Sequence, residues 1–168
     1  MTIDELNALT VSQATDWFIR CCASRAWAEN MQRSRPYTSI DDVINTACKI
    51  WSCLSNSDFL EAFKAHPMIG DINTLEAKFA NTSALAEQEQ ASAIGADSNV
   101  LQELHRLNHL YLAQNGFIFI ICATGQSAEN MLASIEQRIH NDTETEIKIA
   151  AEQQLKITIL RIQKGLTA

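Results

Sequence analysis

The chain has 168 residues, and its 13 Lys and Arg against 20 Asp and Glu leave a formal net charge of −7. With 46% hydrophobic and 20% charged residues it can build the core of one ordinary domain, residues 1–168, which excludes intrinsic disorder. Five Gly and two Pro exclude a collagen-like or low-complexity chain, and an acidic balance with no basic cluster excludes a protein held on nucleic acid by phosphate neutralisation.

The opening stretch, Met1 to Thr10, is acidic and sparsely apolar, unlike a secretory signal, so a cytoplasmic location is expected. From there apolar residues recur at three- and four-residue spacing behind Ser, Thr, Asp or Asn, the pattern of capped amphipathic helices. Ser39 caps a helix in which Ile40, Val43, Ile44, Ala47, Ile50, Trp51 and Leu54 form one stripe, with Asp42 at the capping-box position. A second runs from about Ser57 through Phe59, Leu60 and Phe63 and stops near Ala65, because Pro67 disfavours helical geometry at His66. After a turn at Gly70 and Asp71, short helices are expected over Thr74 to Phe79 and Ser83 to Ala93.

Ser98 opens the next helix, with Leu101, Leu104, Leu107 and Tyr111 on one face and Asn115-Gly116 as a left-handed stop. The run Phe117 to Ala123 is the longest apolar stretch, far short of the ~20 residues a membrane span needs, so no membrane partner is expected. It reads as a buried extended segment or helix start, since no second strand exists to satisfy its backbone. Ser127 opens a helix through Met131, Leu132, Ile135 and Ile139 to Asn141, and Thr143 with Glu146 forms a capping box for a last helix that reaches about Lys164 and ends at Gly165. The sum is an all-α, single-domain bundle of about eight helices.

Few residues carry chemistry by pattern alone. His105 and His109 stand four apart, a spacing that can hold a metal, but no third ligand accompanies them and a solvated helix face is the better reading; no metal is expected. The five cysteines, Cys21, Cys22, Cys48, Cys53 and Cys122, read as reduced and mostly buried thiols, with Cys48 and Cys53 in the core. His140 suits a helix C-terminus. No nucleophile elbow, Walker pattern or dinucleotide fingerprint occurs, so any chemistry rests on side chains without a nucleotide cofactor. His66 stands apart: at a proline-broken helix end a histidine can be held rigidly, as an acid or base must be, or can merely cap its helix. The strip Glu87-Gln88-Glu89-Gln90, taken alone, fits a solvated helix face.

Taken in order, Ala65-His66-Pro67-Met68-Ile69-Gly70-Asp71, Phe79-Ala80-Asn81-Thr82, Glu89-Gln90-Ala91 and the stretch Asn115 to Gly125 closely resemble the 2-oxo-4-hydroxy-4-carboxy-5-ureidoimidazoline (OHCU) decarboxylase family, which acts last on the route from urate to allantoin. Arg35-Pro36-Tyr37, Asp58 to Phe63, Ser127-Ala128-Glu129, Asn141-Asp142 and Leu160-Arg161-Ile162 extend the likeness over most of the chain. The resemblance implies a cofactor-free, all-helical lyase with His66 as acid/base, aided by Glu89. Glu87-Gln88 repeats the same dipeptide, but only Glu89-Gln90 aligns with Phe79 to Thr82 and with Gly95 onward without a gap. Substrate contacts carry over to Pro67, Ala86, Gln90, Phe119, Ile120, Ile121, Cys122, Ala123 and Arg161. Ala86 stands where many relatives have Ser, Leu85 at an often aromatic position and Ser92 where Gly is usual, departures that bear on substrate preference.

The implied partner is a small-molecule substrate, and both the family and the acidic chain allow a homodimer. Two alternatives stand beside this: a decarboxylase of a related ureido acid, and a non-catalytic helical interaction module of the same fold.

Overall fold

A computed structural model describes residues 1–69 and 98–167. Among the described residues all regular structure is α-helical, eight helices and no strand: α1 (Ile3–Ala8), α2 (Val11–Cys21), α3 (Arg25–Arg33), α4 (Ile40–Trp51), α5 (Asn56–Lys64), α6 (Ser98–Asn115), α7 (Ala128–Arg138) and α8 (Thr143–Gly165). The expected helices over 74–79 and 83–93 and the turn at Gly70 lie outside the described residues. No helix among those described is long and apolar enough to cross a membrane. The chain forms two compact units, residues 1–65 with 151–168 and residues 66–150, which divide α8 between Ala150 and Ala151.

In the first unit the helix starts are set by side chains that accept orphan amide protons. Thr2 and Thr10 make full capping boxes with Glu5 and Gln13, Ser24 accepts from Trp27, and Ser39 accepts from Asp42. Asp42 does not complete the expected box. Its carboxylate reaches one residue further, to the Thr38 amide at 2.9 Å and the Thr38 hydroxyl at 3.1 Å. The helix also stops at Trp51, so Leu54 lies beyond the stripe it was expected to join.

The core of this unit is aromatic. Phe18 meets Trp27 edge-on at 5.8 Å and Tyr37 at 6.2 Å, and all three are buried. Burial of the polar tips is tolerated because each finds a carbonyl: Trp27 Nε1 donates to Ala47 O, Trp51 Nε1 to Ala151 O and Tyr37 Oη to Met31 O. Arg35 gathers the carbonyls at the end of α1, donating to Leu6 O at 2.9 Å and Leu9 O at 2.7 Å.

One expectation fails here. Cys53 falls in the turn after α4 and is exposed, and Cys48 is half-buried, so neither is a core thiol; the core thiols are Cys21 and Cys22. The last helix ends at Gly165, as the pattern predicts. A Cβ there would lie 3.0 Å from the Trp17 ring, so close approach explains the glycine.

In the second unit α6 packs against α7. Ser127 caps α7 by accepting from the Asn130 amide. The expected Thr143–Glu146 box is absent: Asp142 accepts from the Thr145 amide at 2.8 Å, and Glu146 points into the core with no exposure. The Thr-x-x-Glu pattern was real, but a buried arginine claims the carboxylate.

Candidate active site

The position of His66 follows from α5. Ser55 and Asp58 bond reciprocally at its start, and Ala65 keeps a helical conformation at its end. Proline then bars another turn, and His66, Pro67, Met68 and Ile69 continue as a half-buried, non-helical segment. Asn108 on α6 fastens this segment: its Nδ2 donates to Ile69 O at 3.0 Å and to Leu104 O at 2.9 Å. Two carbonyl acceptors fix which way the amide faces, and Oδ1 is left buried without a hydrogen-bond partner. Such an acceptor costs about 1–3 kcal/mol, a strain more at home in a functional site than in an inert core.

The stretch after α6 is extended. Gly116 ends the helix at φ 76°, its amide donating to Leu112 O, as the Asn-Gly pair predicts. Phe117, Phe119, Ile120 and Ile121 are then buried, Cys122 and Ala123 half-buried, and a turn at Gly125 returns the chain to α7. Of the two readings from sequence, a helix start is absent and a buried, non-helical segment is present.

A charged cluster replaces the missing neighbour strand. Arg138 donates through Nη1 to Ile120 O at 2.8 Å and through Nε and Nη2 to Glu146 Oε2 at 3.0 and 2.8 Å, while its guanidinium lies over the Phe119 ring, 4.4 Å from the centroid. Glu146 also accepts from Tyr111 Oη and, through Oε1, from Asn141 Nδ2 at 2.7 Å. The Tyr111 ring meets Phe117 and Phe119 edge-on. Burial raises the Tyr111 hydroxyl well above the usual phenol range, and the neighbouring carboxylate pushes it further, so it stays protonated as a donor.

His66, Pro67 and Phe119 to Ala123 thus fall in the second unit, whereas Arg161 belongs to the first. Arg161 lies on the outer part of α8 and donates through Nη1 to Cys21 O at 3.3 Å. Ala86, Glu89 and Gln90 lie outside the described residues. His105 and His109 are exposed on α6 with rings edge to face at 4.5 Å, and among the described residues no three His, Cys, Asp or Glu side chains gather as metal ligands.

Sequence reasoning missed Asn108, Tyr111, Arg138 and Glu146 as parts of this region. Asn108 carried a signal, since it sits on the same face as Leu104 and Tyr111, where a polar residue needs a partner.

The profile of the OHCU decarboxylase family matches residues 7–163. A uric acid degradation bifunctional protein of Arabidopsis thaliana is 42% identical over 89% of this chain, which spans only 46% of that protein. A 2-oxo-4-hydroxy-4-carboxy-5-ureidoimidazoline decarboxylase of Haloferax volcanii is 24% identical, with 100% of this chain and 98% of that one covered. Among solved structures, an OHCU decarboxylase crystallised in the presence of (S)-allantoin superposes with a TM-score of 0.74 at 39% identity, covering 89% of this chain and 96% of that one. With a family profile running through both compact units, the chain belongs to the OHCU decarboxylase family.

Proposed function

We propose that the chain is a cofactor-independent carboxy-lyase that converts 2-oxo-4-hydroxy-4-carboxy-5-ureidoimidazoline to (S)-allantoin in urate degradation, acting as one domain over residues 1–168. The observation that carries this reading is His66, set at a proline-broken helix end by an Asn108-anchored segment, in the same unit as the buried Phe119 to Ala123 wall. The family profile across both units supports treating them as one functional domain.

The chemistry needs little beyond placed side chains. The substrate's carboxylate sits on a carbon next to a C=N bond. When the bond to carbon dioxide breaks, its electron pair forms a double bond to the neighbouring carbon, and the C=N pair moves onto nitrogen, which takes a proton. The resulting enol gives up its hydroxyl proton to become a carbonyl, and the neighbouring carbon takes a proton on one face, so one proton is consumed overall. His66 is the acid/base for the face-selective transfer, a contribution of about 10²- to 10⁴-fold. Glu89 orients His66 or the substrate hydroxyl, Gln90 bonds the ureido group, and Arg161 holds a carbonyl or carboxylate. Pro67, Ala86 and Phe119, Ile120, Ile121, Cys122 and Ala123 shape the pocket and keep water out. A cytoplasmic homodimer acting on a small molecule, with no membrane or nucleic-acid partner, completes the reading.

The test follows freshly generated substrate by circular dichroism with wild type, His66→Ala and no enzyme. Acceleration to a single allantoin enantiomer, lost in His66→Ala, is expected. A wild type that matches the spontaneous rate and gives racemic product overturns the assignment. The Ala86, Leu85 and Ser92 departures favour one second reading, a related ureido acid as substrate, which profiling across such acids would reveal.

A further inference from the structure

We propose that Arg138, held by Glu146, is a positioning residue that aims the Ile121 backbone N–H at the substrate. This rests on the reading above, in which the 119–123 segment lines the pocket.

The argument starts from the peptide plane. The bond between Ile120 and Ile121 is trans, so the Ile121 N–H points opposite to the Ile120 carbonyl. That carbonyl is pinned to Arg138 Nη1 at 2.8 Å, which turns the Ile121 N–H away from the guanidinium. Among the described residues this N–H meets no hydrogen-bond acceptor, although Ile121 is only 8% exposed. Backbone donors in buried residues are nearly always satisfied, and where no acceptor stands among the described residues a ligand is one way to satisfy them. The enol oxygen as it gives up its proton, or the carbonyl it becomes in the product, suits it.

Arg138 is built for this task. Its planar fork makes three hydrogen bonds to two different groups while its face stacks on Phe119, so Phe119 and Ile120 are fixed by one side chain. Glu146, fully buried, accepts in turn from Tyr111 and Asn141, which locks the carboxylate that locks the arginine. The ion pair therefore transmits the rigidity of α6, α7 and α8 to one peptide plane.

The test uses the full chain labelled with ¹⁵N, (S)-allantoin as the probe, and Arg138→Lys and Arg138→Met/Glu146→Gln as variants. The lysine keeps a cation for Glu146 but cannot fork, and the double variant leaves no uncompensated buried charge should the first fail to fold. In the wild type, saturating allantoin is expected to move the Ile121 amide proton downfield, with the exposed Gly125 amide unmoved as a control. In a folded variant that shift is expected to be lost, with KM raised at least tenfold and the pH profile of kcat unchanged. An Ile121 amide that does not respond in the wild type, or responds equally in a folded variant, overturns the proposal. So does an unchanged KM. Failure of the decarboxylase reading shows separately, as a wild type that does not accelerate decarboxylation.

Discussion

The two units solve the same problem, a core that contains backbone polar groups, with opposite chemistry. In the first, the fully buried donors are neutral: indole nitrogens of Trp27 and Trp51 and the hydroxyl of Tyr37 each meet a carbonyl, and Gln154, Thr158 and Cys22 bond among themselves, while Arg35 and Arg161 reach carbonyls only from part-buried positions. In the second, the extended 117–123 segment is tied down by a charged pair, Arg138 with Glu146, whose side chains are 10% and 0% exposed. Neutral hydrogen-bonded pairs cost less to bury than charged ones. A buried ion pair recovers its desolvation cost only when every donor and acceptor is aligned, so it holds one arrangement and penalises the rest. The difference matches the placement of the proposed site residues, of which Arg161 alone falls in the first unit and His66 with Phe119 to Ala123 in the second.

Substitutions can break that contrast, and the largest effect is expected in the scaffold. Trp27→Ala removes a fully buried indole that packs on Phe18 and should cost about 3–5 kcal/mol in a denaturant titration, with KM of the folded fraction unchanged. A shift in KM would end the separation of roles. Asn108→Ala acts on the other side. Loss of the bond to Ile69 O should lower stability by about 1–3 kcal/mol and kcat by up to ~10²-fold, because the segment that bears His66 is released; stopped-flow assays of the folded variant decide it.

Alkaline pH sharpens the comparison further. Burial pushes the Cys21 thiol up to about 12 and the Cys22 thiol up to about 11, from ordinary values near 9. Between these limits the unfolded chain has lost the protons that the native one keeps. Stability is thus intact below pH ~9 and falls as pH rises toward 11 and 12, by about 1.4 kcal/mol per pH unit for each thiol. The Tyr111 hydroxyl in the second unit shifts in the same direction, so Cys21→Ala/Cys22→Ala is the control that isolates the thiols. A variant that keeps the full alkaline slope would transfer the effect to the buried tyrosines, Tyr37 in the first unit and Tyr111 in the second. The smallest change expected is Ser39→Ala, which removes the α4 cap and should lower the thermal midpoint through a loss of about 1 kcal/mol, with activity untouched.

What the sequence discloses divides along the range of the interaction. The helix ends at Ser39, Ala65, Gly116 and Ser127 are local, each set by a cap, a proline or a glycine within a few residues, and all four are found where the pattern puts them. The Thr143–Glu146 box matches the same local grammar and is nonetheless absent, because Arg138, on another helix, offers Glu146 more than the helix start can. Cys53 fails for a related reason, since its exposure depends on packing far along the chain, and the closeness of Gly165 to Trp17 was hidden for the same reason. His66 was legible through its proline. Arg138 was not, since nothing at the sequence level pairs it with the Ile120 carbonyl eighteen residues earlier.

All three tryptophans of the chain, Trp17, Trp27 and Trp51, belong to the first unit. The protein therefore carries a built-in optical label on its scaffold and none on the unit that holds His66. Excitation at the red edge, where tyrosine is silent, would follow the emission of one unit alone, while far-ultraviolet ellipticity averages over both. Superimposed melting curves from the two signals would mean that the units unfold as one cooperative body; separated curves would give each its own transition, and the order of melting would say which half the other leans on.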